Sequence, residues 1–184
     1  MATVVVLNGT SSSGKTTIAR ALQETAPRLL LNFSIDSILS GLPASALERI
    51  VRGDDISDLD YPGLVRGYYA CVRELLILGR DLIIDNAITA RDRAELLVNA
   101  VASHHVVMVG LDCAPEVLAG RERARGDRQL GMAAAQHARI HAWLQYDLRI
   151  DTAHISAEAA AREIVRVMET GRSEAFERTH AALG

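Results

Sequence analysis

The chain has 184 residues, 49% of them hydrophobic, and a formal charge of −3. That length suits a single domain spanning 1–184, and the apolar content excludes a chain too polar to fold alone. The charge argues against a nucleic-acid surface spread over the molecule, and apolar runs such as 75–78 and 106–109 are too short to cross a membrane.

The elements alternate. Residues 3–7 form an apolar, β-branched strand that runs straight into a glycine loop; Met1, Ala2 and Thr3 carry no basic charge, so this start reads as a strand and not as a signal peptide. A helix follows over about 16–25, then a strand at 28–33 closed by Ser34, Ile35 and Asp36. A helix beginning near Pro62 leads to a third strand at 81–85; a fourth lies at 105–111 and a short fifth at 149–151. Between the last two come helical segments at 115–125 and 131–146, separated by Gly126. Ser156 is placed to cap a helix reaching about 170, and a polar tail occupies 171–184. Strands alternating with helices predict a three-layer α/β domain with a five-stranded parallel sheet, whose ligands bind beyond the carboxyl ends of the strands.

The first turn carries the strongest signal. Gly9, Thr10, Ser11, Ser12, Ser13, Gly14, Lys15 and Thr16 fit G-x-x-x-x-G-K-[ST], with a strand before and a helix after. Glycines let the backbone curl so that N–H groups point at phosphate oxygens, and the helix N-terminus adds its positive end. Lys15 is expected to reach the β and γ phosphates and Thr16 to offer a hydroxyl to Mg²⁺, with Thr17 just beyond on the same turn. Of the 20 basic residues 19 are arginine, so lysine survives only at position 15, where a compact ammonium suits phosphates better than a planar fork. By chance a lone lysine would fall in this pattern roughly once in two thousand placements.

A P-loop serves kinases, GTPases and motors alike. A guanine-reading N-K-x-D motif needs a second lysine, which this chain lacks, and the length is short for a ring-forming ATPase; a small kinase fits best. Asp85, closing the third strand, sits where such proteins place a carboxylate on Mg²⁺, the alternative being a loop or capping aspartate. Asp36 could take the proton of an attacking hydroxyl or simply cap a helix. Arg121, Arg123, Arg125 and Arg128 crowd between strands four and five. Arg121, Arg125 and Arg128 share one helix face, with Arg123 off it. They suit a mobile lid over 115–146, hinged at Gly126, that stabilises the transferring phosphoryl group. The plainer alternative is a solvated face whose interleaved Glu122 and Asp127 make weak pairs. His137 and His141 fit structural positions better than catalytic ones.

The residues together resemble the chloramphenicol phosphotransferases. The likeness runs from Val4 to about Arg166 and rests on Leu7-Asn8-Gly9, the P-loop, and the stretch from Phe33 to Ser37. Most specific are the arginine-rich stretch from Gly120 to Arg128, then Gly131, Met132, Ala133, Gln136, His141, Tyr146-Asp147 and Asp151-Thr152. The resemblance implies transfer of the γ-phosphoryl of ATP to a hydroxyl of an antibiotic, with Asp36 as general base and the arginine stretch as lid. The chain departs from that family in a shorter, more acidic segment over 42–67 (Asp54, Asp55, Asp58, Asp60) and in Asp85-Asn86 where the family has two carboxylates. The residues beyond Arg172 are extra.

The expected function is therefore an ATP- and Mg²⁺-dependent O-phosphotransferase acting on a small hydroxylated molecule, chloramphenicol or a relative first, in a reducing cytoplasm consistent with only two cysteines, Cys71 and Cys113. No oligomeric state is implied. The alternatives are a kinase of the shikimate or nucleotide type and an ATP-binding regulatory switch. No arginine stands between Asp36 and Arg49 to grip an acceptor phosphate, which favours a neutral hydroxyl.

Overall fold

The computed structural model describes residues 1–125, 130–170 and 173–184, with Arg125 represented by its backbone alone. Strand β1, Thr3–Gly9, is buried along its whole length. Its Val4 and Val6 enter one hydrophobic cluster and its Val5 and Leu7 another, as period-two alternation requires of a central parallel strand covered on both faces. Around it lie β2 (Leu31–Ser34), β3 (Leu82–Asn86), β4 (His105–Asp112) and β5 (Leu148–Asp151), all parallel, in the order β2-β3-β1-β4-β5. The register pairs Leu7 with Asp85 and Asn8 with Asn86, so the P-loop and the polar end of β3 leave the sheet side by side.

One face is covered by α1 (Lys15–Thr25) and α8 (Ala157–Thr170), which pack Ile18, Leu22, Ala161 and Ile164 against Val5 and Leu7. The other carries α4 (Tyr61–Ile77) and α5 (Arg91–Val101), whose Tyr68, Val72, Leu76, Leu97 and Val101 meet Val4 and Val6. The expected three layers and five parallel strands are both present.

The acidic segment over 42–67 folds as α3 (Ala44–Arg52), a 3₁₀ turn (Ser57–Leu59) and the start of α4, preceded by a short α2 (Ile35–Leu39). Its carboxylates are matched locally: Asp58 pairs with Arg49 at 2.7 Å and Asp54 with Arg52 at 2.8 Å. Exposed pairs of this kind add little stability, and Asp55 and Asp60 accept from Ser57 and from the Gly63 N–H instead.

Two expectations are corrected. The helix expected over 131–146 is only α7, Met132–His137, after which the chain runs through turns to β5. Beyond it the chain closes tight turns, Arg139 N–H to Gln136 O and Ala142 N–H to Arg139 O, and the Asn8 side chain donates to the carbonyl of Ile140 at 2.6 Å. The tail expected to be merely polar contains α9, Ala175–Leu183, which buries Ala175, Phe176 and Leu183 in the cluster of Val4 and Val6, beside α5 and β4. Its alternation of exposed and buried residues had been masked by Glu174, Glu177 and Arg178, which form its wet face.

Asp147 fastens this helix. Its carboxylate accepts from the backbone N–H of Met108 (2.8 Å), Glu174 (3.1 Å) and Ala175 (3.0 Å) and from the Ser173 hydroxyl (2.7 Å). One side chain thus serves as N-terminal cap and as bridge to β4. Asp147→Ala should leave a buried donor unmatched and remove the cap, costing about 3 kcal/mol and lowering Tm by roughly 10 °C. Thermal denaturation followed by circular dichroism checks this, and an unchanged Tm would return Asp147 to a surface role.

Candidate active site

The P-loop leaves β1 at Gly9, where a side chain would bring Cβ within 2.6 Å of the Ser13 hydroxyl and 3.0 Å of Leu111. Gly14, at φ +92°, opens α1 in the left-handed region that glycine alone enters cheaply. Ser12 adopts φ +61° without being glycine, a strained conformation that marks a constrained site. The buried hydroxyls of Ser12 and Ser13 find no hydrogen-bond partner among the described residues. Lys15 Nζ donates to the carbonyls of Gly9 (2.9 Å) and Thr10 (2.8 Å), so the ammonium lies folded across the loop it is expected to serve.

Thr16 Oγ1 donates to Asp85 Oδ2 at 2.8 Å, and Asp85 is 8% exposed at the end of β3. A cap role for Asp85 is set aside by its place inside the strand, well before α5 begins at Arg91. The two are hard oxygen donors, and the described residues hold no group of three or more His, Cys, Asp or Glu that could bind a metal alone. That donor set fits Mg²⁺, which takes one or two protein oxygens and completes its shell from phosphates and water.

Asp36 is the second residue of α2, not its cap. A capping box between Ser34 and Ser37 does that work, with Ser34 N–H donating to Ser37 Oγ at 3.3 Å. Asp36, Lys15, Thr16, Thr17 and Asp85 all line one cleft of about 760 Å³. Its far half is walled by Ile35, Leu39, Ile50, Ile56, Tyr61 and Tyr68. Burial raises the phenols of Tyr68 and Tyr69 well above the usual tyrosine range, so the floor stays uncharged. Arg93, one of the few cations there, stacks over Tyr61 at 5.3 Å and lies 3.7 Å from Asp92.

Helix α6 spans Pro115–Arg125. Arg121 reaches back from it to Thr152, donating to its hydroxyl (3.1 Å) and carbonyl (2.8 Å), with the guanidinium 3.9 Å from where a Gly14 Cβ would stand. Arg121 is therefore at the P-loop, held from the end of β5. Arg123 is exposed, as its off-face position implied. The Arg125 side chain, Gly126, Asp127 and Arg128 lie outside the described residues, and so do Gly171 and Arg172 in the C-terminal segment.

Three polar residues have contacts here that the sequence reading did not assign to them. Glu122, taken for a surface partner of the arginines, is 4% exposed; its carboxylate accepts from Gly131 N–H (2.7 Å) and Ala133 N–H (3.0 Å) and so opens α7. Asn8 is fully buried. Its amide donates to Ile140 O (2.6 Å) and Tyr146 Oη (2.7 Å), and its oxygen accepts from Ile88 N–H (2.8 Å), joining the α7 turn to the loop after β3. Gln136 of α7 accepts from the P-loop N–H of Ser11 at 2.6 Å. An amide ending an otherwise apolar strand was the one available hint for Asn8. His141 completes the brace, with Nδ1 2.8 Å from Tyr146 Oη and Nε2 3.2 Å from Asp112. Burial holds its pKa below the usual value, against the opposing pull of Asp112.

Known proteins resemble this chain in sequence and in fold. Residues 2–169 match the family described as chloramphenicol phosphotransferase-like protein. Proteins of two Mycobacterium tuberculosis strains that carry O-phosphotransferase names are 28% identical over 179 residues, covering 88% of this chain and 80% of theirs. A sugar kinase from Janibacter superposes with a TM-score of 0.65 at 22% identity, covering 92% of this chain and 93% of its own. The APS kinase of M. tuberculosis, solved with AMPPNP and APS, gives 0.64 at 17% identity, with 91% and 98% coverage. The fold is that of the P-loop kinases, and the chain belongs to the chloramphenicol phosphotransferase-like family of small-molecule kinases.

Proposed function

We propose that this chain transfers the γ-phosphoryl group of ATP to a hydroxyl of a small, largely apolar molecule without a phosphate of its own, chloramphenicol or a related antibiotic being the first candidate. The observation that carries this reading is the single cleft in which the P-loop, Asp36 and an apolar, tyrosine-floored half are continuous. A hydroxyl on an acceptor seated there meets Asp36 on its way to the phosphates. Aspartate is then the base that takes the hydroxyl proton as the oxygen attacks phosphorus in line with the departing ADP.

The remaining roles follow from position. The N–H groups of residues 9–17 and the end of α1 hold phosphate oxygens, and Lys15 exchanges its loop carbonyls for the β and γ oxygens. Thr16 and Asp85 would hold Mg²⁺, which supplies charge neutralisation between the β and γ phosphates. Arg121 flanks the nucleotide from the β5 side. The segment 115–146 is assigned as the lid, and its Arg125 and Arg128 are assigned to stabilise the transferring phosphoryl group. A cytoplasmic setting, where ATP is abundant, completes the reading; among the described residues no helix is long and apolar enough to cross a membrane.

The test is ADP release with Mg-ATP in a panel of hydroxylated antibiotics and metabolites that includes chloramphenicol. Acceptor-dependent release, with a product heavier by one phosphoryl group, is the expected result. Release with a different acceptor would keep the mechanism and reassign the specificity, and ATP bound without acceptor-dependent release would favour a switch.

Lys15→Ala should abolish turnover, and Lys15→Arg should keep the charge yet lose most of it, because a guanidinium does not replace a point charge at the phosphates. Asp36→Asn should bind ATP as the parent does while kcat falls roughly 10²-fold or more. A turnover number unchanged by Asp36→Asn would sink the base assignment.

A further inference from the structure

The side chain of Gln136 occupies a place that phosphate chemistry claims. Its Oε1 accepts from Ser11 N–H at 2.6 Å, and a backbone donor fixes which end of the amide faces the loop. Gln136 and Met132, one turn apart on α7, both line the cleft with Ser11, Ser12, Gly14 and Lys15. The helix does not rest there by chance. Buried Glu122 fixes its first turn through Gly131 and Ala133, and Asn8 fixes the chain just beyond it through Ile140.

P-loop N–H groups are donors for an anion. In the free protein the Gln136 carbonyl oxygen therefore sits where an oxygen acceptor is wanted. When a phosphate oxygen takes that donor, two acceptors would face each other unless the amide turns. Half a turn about its last torsion presents NH₂ to the same phosphate. A glutamine can serve both the empty and the filled loop; a glutamate serves only the empty one, and an apolar residue neither.

We propose that Gln136 is a nucleotide-binding residue, accepting from Ser11 N–H in the free enzyme and donating to a phosphate oxygen of bound ATP, so that α7 senses whether the loop is filled. The idea rests on the P-loop part of the kinase reading and not on the identity of the acceptor.

Binding of Mg-ATP is measured calorimetrically, with no acceptor present, for the parent, Gln136→Leu and Gln136→Glu. Gln136→Leu should weaken ATP about tenfold, the usual scale for a hydrogen bond to a charged group. Gln136→Glu should weaken it further, by roughly 100-fold, and more so at low salt, because a carboxylate then faces the phosphate. Thermal melts of the nucleotide-free variants establish that they are folded. Should Gln136→Leu fail to fold, Gln136→Glu still decides, since it keeps the Ser11 contact. Affinities within twofold of the parent in both variants would overturn the proposal and leave the kinase reading standing. Tighter ATP binding by Gln136→Leu would also overturn it, by making the glutamine a mere plug. Failure of the parent itself to bind ATP would overturn this proposal together with the P-loop reading.

Discussion

An N–H that is to receive a phosphate oxygen cannot already be committed to a helix or a sheet. The loop between β1 and α1 meets that demand at a cost. Gly14 and Ser12 sit at positive φ, and two serine hydroxyls are buried without partners among the described residues. Such a loop keeps its shape only if its surroundings over-determine it. They do so from three sides. Ser13 and Leu111 close on Gly9, Asp85 takes the Thr16 hydroxyl, and Asn8 ties the strand end to both neighbouring segments.

On the proposed reading, phosphate handling and acceptor recognition occupy different parts of one cleft. The phosphate half is built from backbone and from the ends of central strands, where the register allows little movement. The half proposed to take the acceptor is built from α2, α3 and the start of α4, elements outside the sheet that pair charges locally. A change of acceptor can therefore be accommodated by the outer helices without disturbing the loop that handles ATP.

Much of this was legible in the residues. The P-loop pattern, the five parallel strands and the meeting of Thr16 with Asp85 followed from motif, periodicity and the order of elements. What escaped has a common physical cause. Glu122, Asn8 and Asp147 act by accepting from or donating to backbone groups outside their own elements, and nothing in a one-dimensional pattern says which backbone will be short of a partner. Helix α9 was hidden because its large apolar residues are only Phe176 and Leu183 and its exposed face carries Glu177 and Arg178. The turns after α7 were hidden because a side chain that holds them, Asn8 on the Ile140 carbonyl, lies 132 positions away. Asp36 shows the opposite case: a residue ambiguous between cap and cleft was resolved by the neighbouring serines, which form the cap themselves.

The distribution of basic residues has a chemical corollary. With 19 arginines and one lysine, the only side-chain primary amine of this protein stands inside its nucleotide site, its Nζ drawn onto two loop carbonyls. Amine-directed reagents meet a molecule whose surface offers them little besides the chain terminus. Acylation or reductive methylation of the side chain then becomes a readout of one residue, and occupancy of the site by a nucleotide becomes visible as protection from a reagent that elsewhere finds no lysine to modify.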